Sequence, residues 1–388
     1  MMRQDLATSR PVMAAFAVIG LYWGPFAAMV PVLKAQIGAS DGVFGLCMLV
    51  ASVGALVAMW LAPLAERLLG RRAMPILGAC VGISFLLPGL AHSVPVFAIC
   101  MLLASMSAGC LDVVMNARLS TLERRSGRSL MNLNHGAYSL VYAAAAMTTG
   151  IARELGMHPV AIFACFGIVT LWMISEMIRL PVDVAPTDED SADKAPLPAG
   201  PIWLAGSIIL VAFFGENGTE GWSALYLERS LGTGAAGGAL GPALLGLTMG
   251  LGRIAGQLVS ARIDEYRLIR WAALIAASGA LIAASAPVPV VAYIGFAALG
   301  LGISVIGPTV YVIVGRDVTD AARTHVIARI SAIGYLGFFI APPLMGFLSE
   351  WSGLSAAFGI VALLILAVPV ALLPAYRRLR DGLSSRSN

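Results

Sequence analysis

The sequence predicts an all-α membrane protein, with twelve transmembrane helices in two six-helix bundles related by a pseudo-two-fold axis. Three observations carry this expectation. The 388-residue chain is 59% hydrophobic and only 12% charged, with a mean hydropathy of +0.86. A soluble chain is about a quarter charged, and a water-facing surface of this size needs more charge than is present here. Apolar runs of spanning length recur from end to end, and lysine and arginine gather in every second interval between them.

The runs lie at 11–33, 43–63, 73–91, 94–117, 130–151 and 158–180, then at 201–226, 238–261, 268–286, 289–314, 326–348 and 354–376. A spanning helix takes about 20 residues and a short connection about ten more, so the length has room for twelve spans and no sizeable soluble domain. The run from Pro11 to Leu33 is too long for a signal-peptide core and is read as a retained first span. Between the sixth and seventh runs, residues 182–200 are acidic, contain proline and lack aromatics. Such a stretch cannot bury enough apolar surface to fold, so it reads as a cytoplasmic linker between bundles 1–181 and 201–388.

Loop charge sets the expected orientation. With the N-terminus in the cytoplasm, Lys34, Arg153 and Arg229 fall outside, Arg253 lies within a span, and the other 21 of the 25 basic residues fall inside. The positive-inside rule then places both termini in the cytoplasm. An internal repeat supports the count. The fifth span carries Tyr138-Ser139-Leu140 and later Gly150; the eleventh carries Gly334-Tyr335-Leu336 and Gly346 at the same interval. Each is preceded by a basic loop, as expected of two homologous bundles.

A charged side chain inside a bilayer costs a few kcal/mol or more and needs a partner or a wet cavity, so the few present are candidate sites. They are Asp112, His135, Glu216, Glu220, Arg253 and Glu176. Asp112 precedes Asn116 by four residues on one helical face. His135 sits at a similar depth in the antiparallel fifth span, so the two are expected side by side as a proton relay, one group titrating and the other pairing with it. A fixed polar clip between helices is the plain alternative.

The seventh span, FFGENGTEGWSALYL, places Gly215, Gly218 and Gly221 around Glu216 and Glu220. Glycine at that density weakens a helix and frees backbone groups, which a membrane tolerates only beside protein or water. Glu216 is favoured for a role, with Glu220 read as near the outer interface. Arg253 either snorkels or pairs with an acid, and Glu176 with Arg179 reads as an interfacial pair. Trp23 and Tyr311 are candidate cavity residues with Asn116, Glu216 and Trp222.

Several chemistries have no sequence support. There is no phosphate-binding GxxxxGK[ST], and no HExxH, GxSxG or metal-ligand cluster. The five cysteines lie in apolar runs without CxxC spacing. No enzyme activity, cofactor, metal or nucleic acid is expected, and the chain is read as a monomer.

Several motifs carry a resemblance. LAPLAERLLGRR after the second span resembles the GxxxDRxGRR signature of the major facilitator superfamily, with Glu66, Arg67, Arg71 and Arg72 in register and Ala62 replacing the glycine. The likeness runs over the whole chain. More narrowly, the chain is similar to the fucose-permease-like branch: GxLDxxxN at Gly109, Asp112 and Asn116; HGxxS at His135, Gly136 and Ser139; Glu216 and Trp222 to Leu227; and GYLGF with Pro342 and Pro343. The branch's first-span acid has no counterpart in GLYWGPFAAMVPVLK.

The resemblance implies a gating loop at Glu66, Arg67 and Arg71, and a proton-coupling acid at Asp112. The expectation is a secondary active transporter in the bacterial inner membrane that moves a small polar, sugar-like solute by alternating access, coupled to protons. The rivals are a proton-antiport exporter of amphipathic compounds and, more remotely, a non-transporting membrane receptor.

Overall fold

The computed structural model describes residues 2–128, 130–179, 199–259, 263–316, 318 and 320–384. They form α1 (Met2–Gln36), α2 (Asp41–Leu69), α3 (Ala73–Ser84), α4 (Leu86–Leu90), α5 (Val94–Ser126), α6 (Met131–Glu154) and α7 (Pro159–Arg179). The expected linker 182–200 lies outside the described residues up to 198, and its last two residues open α8 (Ala199–Ser230), which is followed by α9 (Ala235–Val259), α10 (Glu265–Ala284), α11 (Pro289–Arg316), α12 (Asp320–Ala367) and α13 (Leu373–Ser384). A π-helical turn, Val368–Leu372, joins the last two.

Among the described residues, nine stretches are long and apolar enough to cross a membrane. Two of them run 50 and 57 residues, each with length for more than one crossing. Each is interrupted: the first by the turn Gly70–Arg72, entered with Gly70 at φ 51°, the second at Gly353 with φ 81°. Only glycine takes such backbone angles without strain. Met131–Glu154, the fifth expected span, is not one of the nine. It carries Asn132, Asn134 and His135 in its first turns.

The outside of the helix layer is apolar, as lipid contact requires. Ile83 is 65% exposed, Ile168 71% and Leu363 67%. Apolar exposure on this scale marks a surface covered by something other than water. Inside, small residues let helices approach closely, the usual means of packing in a bilayer. The packing pattern recurs along the chain. α1 lies on α6 as α8 lies on α12, and α6 lies on α9 as α12 lies on α2. The repeated glycines fall at these last two contacts: a Cβ on Gly150 would stand 2.4 Å from the Ala239 Cβ, and one on Gly346 would stand 2.4 Å from the Asp41 carbonyl oxygen.

α5 and α6 are not packed side by side as expected. α6 lies on α1 and α9, while α5 lies on α2 and α3, with α1 touching both α5 and α6. Short connections make neighbours in sequence, but here α1 takes the place beside α6.

The end of the bundle opposite the first residue is held shut by charge. Asp41, 5% exposed, accepts from Arg229 at 2.9 Å and pairs with Lys34 at 3.0 Å; Ser349 bonds to both Asp41 and Arg229. Glu350 receives the Gly42 amide. Arg153 makes a two-pronged pair with Glu228 at 2.7 and 3.0 Å and also donates to the Ala28 carbonyl, while Glu154 accepts the Ala236 amide. The bonds of Asp41 to Arg229 and Ser349, of Gly42 to Glu350, of Arg153 to Glu228 and of Glu154 to Ala236 tie the first 181 residues to those after 200. Lys34, Arg153 and Arg229 are the three exceptions to the basic-loop pattern, and all three are clasp residues.

Overpacking at the glycine contact tests this closure. Gly346→Val should cost the closed end about 1–3 kcal/mol. Spin labels at Ala35→Cys and Ser230→Cys should then show a longer distance; an unchanged distribution contradicts the close approach.

Candidate functional site: an interior cavity and its charges

α8 is continuous from Ala199 to Ser230 despite its glycines, contrary to the expected weakening. Packing explains it. A Cβ on Gly215 would meet Ile303 and Ile365 at 3.0 Å, and one on Gly218 would meet Met345 at 3.3 Å, so these glycines seat the helix against α11 and α12 and the segment after Gly353. Gly221 faces open space and lines a cavity.

That cavity holds about 80 Å³ and is walled by α1, α2, α5, α6, α8 and α12. The volume admits several waters or a small solute group, since one water needs only about 10–15 Å³ on this measure. Its walls are aromatic. Trp222 is 1% exposed and meets Phe44 edge-on at 6.0 Å, while Trp23 meets Phe26 edge-on at 5.6 Å. The polar wall groups include Glu220, Asn217, Tyr142, Ser52 and Ser105. Glu220 thus faces the interior space rather than the outer interface. Of the residues expected here, Trp23 and Trp222 are wall residues, and Asn116, Glu216 and Tyr311 stand outside the wall. Tyr311 instead bonds its hydroxyl to Ser331 at 2.9 Å.

Glu216, one helical turn from Glu220, faces Arg253 at 3.5 Å. Arg253 also donates to Ser139 Oγ at 3.2 Å, linking α9 to α6. It is therefore a paired interior charge and not a snorkelling one. Tyr138, beside Ser139, lies within electrostatic reach of Glu220, Glu216, Arg253 and Asp112, and of these four Glu220 stands in the cavity wall. Tyr335, the repeat counterpart of Ser139, is within reach of Asp112 from α12.

The Asp112–His135 pair does not form. Asp112 is accessible and accepts from Asn116 Nδ2 at 3.1 Å, while the same Nδ2 donates to the Asp112 carbonyl at 2.9 Å. His135 meets Phe16 edge-on at 4.7 Å and lies within reach of the Arg253 charge. The separation of α5 from α6 is the physical reason.

At the basic end, Arg118 falls inside α5 and not in a loop, because that helix continues to Ser126. Only 1% exposed, it donates to Glu66 Oε1 from Nε and Nη2 at 3.1 and 2.9 Å, and to the Gly70 carbonyl at 2.6 Å. Glu66 of the expected gating loop is thereby fixed to a neighbouring helix, and Arg67 and Arg71 are exposed. Glu176 pairs with Arg10 of α1 at 2.7 Å; the side chain of Arg179, its expected partner, lies outside the described residues. Asp264, beside the expected second copy of the loop, caps α10 through the Arg267 amide; Arg262 lies outside the described residues.

Sequence reasoning missed the cavity role of Glu220 and Tyr142, the Arg253–Ser139 link and the Asp41 clasp. The spacing of Glu216 and Glu220 and the HGxxS stretch carried partial signals. Nothing local distinguishes Asp41 from an ordinary first-turn acid behind the Ser40 cap.

All-helical among the described residues and lipid-faced, with an acid in the wall of an interior cavity, this is the architecture of a membrane transporter, not an enzyme. The chain belongs to the major facilitator superfamily, whose family model matches residues 12–319 and 243–388. An uncharacterised transporter of this type from Yersinia pestis is 31% identical over 359 residues, covering 91% of this chain and 92% of the relative. Two solved structures share the fold. The D-xylose–proton symporter has a TM-score of 0.74 at 16% identity, covering 95% of this chain and 97% of that one. The inward-open xylose transporter from E. coli has a TM-score of 0.73 at 14% identity, covering 97% and 99%.

Removing Glu66 leaves the buried Arg118 charge short of its partner, and breaking such a pair costs about 3 kcal/mol or more. Glu66→Ala should melt at a lower temperature in detergent, and Glu66→Ala with Arg118→Met should recover part of the loss. If the single variant melts like the parent chain, the pair does not hold this end.

Proposed function

We propose that the chain is a proton-coupled secondary transporter of a small polar solute, working by alternating access. The observation that carries this reading is an interior cavity with Glu220 in its wall, the Glu216–Arg253 pair one helical turn along α8, and the Asp41 and Arg153 clasps at one end of the bundle. Charges kept at such cost inside a membrane protein serve an ion or solute path. In this reading Asp112 is the coupling acid and Asn116 steadies it. Arg253 pairs with Glu216, His135 tunes the local field, and the aromatic cavity with Trp23 and Trp222 receives the solute.

The same reading takes the chain as twelve spans in two bundles, with both termini in the cytoplasm of a bacterium and the protein acting as a monomer. The clasped end then faces outward, and the structure represents the inward-facing state. The fucose-permease-like motifs support placement in that branch. A proton-antiport exporter is the second reading, favoured by the aromatic character of the cavity wall. Opposite gradient signs separate the two, since a symporter accumulates solute with an inward proton gradient and an antiporter with an outward one.

The coupling role has a direct test. In proteoliposomes, Asp112→Asn should lose gradient-driven accumulation by at least about tenfold while solute exchange continues. Accumulation at the parent level under an imposed pH gradient rules out Asp112 as the coupling acid.

A further inference from the structure

Proton coupling places no demand on the charge of the solute, but the cavity does. Three acids and one guanidinium lie within electrostatic reach of Tyr138, namely Asp112, Glu216 and Glu220 against Arg253, and Glu220 is the one of them in the cavity wall. Arg253 is engaged with Glu216, and Asp112 holds Asn116. Glu220 remains. Among the described residues no group hydrogen-bonds its carboxylate, and it stands in the cavity wall beside Trp222.

A second polar group in the same wall is also unmatched. Tyr142 is 1% exposed, and its hydroxyl is buried without a hydrogen-bond partner. Glu220 is the foremost charge acting on that hydroxyl, so the two serve one volume. An unmatched buried hydroxyl is unfavourable, and a ligand that supplies the missing bond would relieve that cost. Around these two groups stand the rings of Trp23, Phe26, Phe44 and Trp222. Ring faces attract cations and offer nothing to anions.

We propose that this cavity receives the ammonium group of a small amine-bearing polar solute. Glu220 is the counter-ion, Trp23 and Trp222 flank the cation, and Tyr142 bonds to an oxygen next to the amine. The volume suits an ammonium and the few atoms around it. A carboxylate-bearing solute would set its charge against Glu220 with no cation in the wall to offset it. The proposal rests on the transporter reading only in taking the ligand as cargo.

The test is binding to the purified full-length chain in detergent, read by tryptophan fluorescence and by melting temperature. The probes are glucosamine, glucose and glucuronate, which present ammonium, neutral and carboxylate forms of one ring, together with tetramethylammonium chloride against sodium chloride. An ammonium probe should bind, and glucose and glucuronate should bind at least tenfold more weakly. Glu220→Gln should lower the affinity for the ammonium probe at least tenfold. Tyr142→Phe should lower glucosamine affinity about threefold with the unliganded melting curve retained, and it carries the test if Glu220→Gln does not fold. Binding by no ammonium probe, equal binding of glucose or glucuronate, or full affinity in either folded variant overturns the proposal. Those outcomes leave the transport reading standing, because it is decided by flux in proteoliposomes and not by binding in detergent.

Discussion

Arg253 holds a positive charge inside an apolar helix layer, and the interior of the protein is arranged around that charge. An isolated guanidinium there would cost several kcal/mol, and Glu216 at 3.5 Å and the Ser139 hydroxyl at 3.2 Å offset that cost. Because Ser139 lies on α6 and Arg253 on α9, the same contacts join the first part of the chain to the second. An interaction that satisfies a charge thereby also senses how those parts sit against each other. That double use is what a machine of alternating access needs from its interior polar groups.

The clasped end shows the same economy. Lys34, Arg153 and Arg229 lie on the side where basic residues are otherwise scarce, and each has a carboxylate partner. Their presence there is explained by closure rather than by topology. The clasp closes only because the backbones meet, and they meet because Gly150 and Gly346 leave no side chain between α6 and α9 or between α12 and α2. Bonds of this kind, made between parts that can separate, are suited to form and break during a cycle.

Much of the fold was legible because a membrane imposes a simple rule: apolar runs of about 20 residues, basic ends and polar links. The glycine interval shared by Gly150 and Gly346 was legible too, although its use as a close-packing surface was not. Failures came where partners are far apart in sequence. Asp41 and Arg229 are 188 residues apart, and Asp41 and Ser349 are 308 apart, with nothing local to announce either contact. The expected Asp112–His135 pair failed for a related reason, since depth along a helix is readable from sequence but the order of helices around a bundle is not. Glycine in α8 misled in the other direction: read as a weakness of the helix, it is what allows α11 and α12 to approach.

The central claim is that the interior charges couple solute movement to protons. The most direct measurement is internal pH in dye-loaded proteoliposomes of the unmodified chain, followed as a solute gradient is imposed without any pH gradient. The expected result is a pH change in step with solute flux that collapses on adding a protonophore. Solute flux with no accompanying proton movement would contradict the claim.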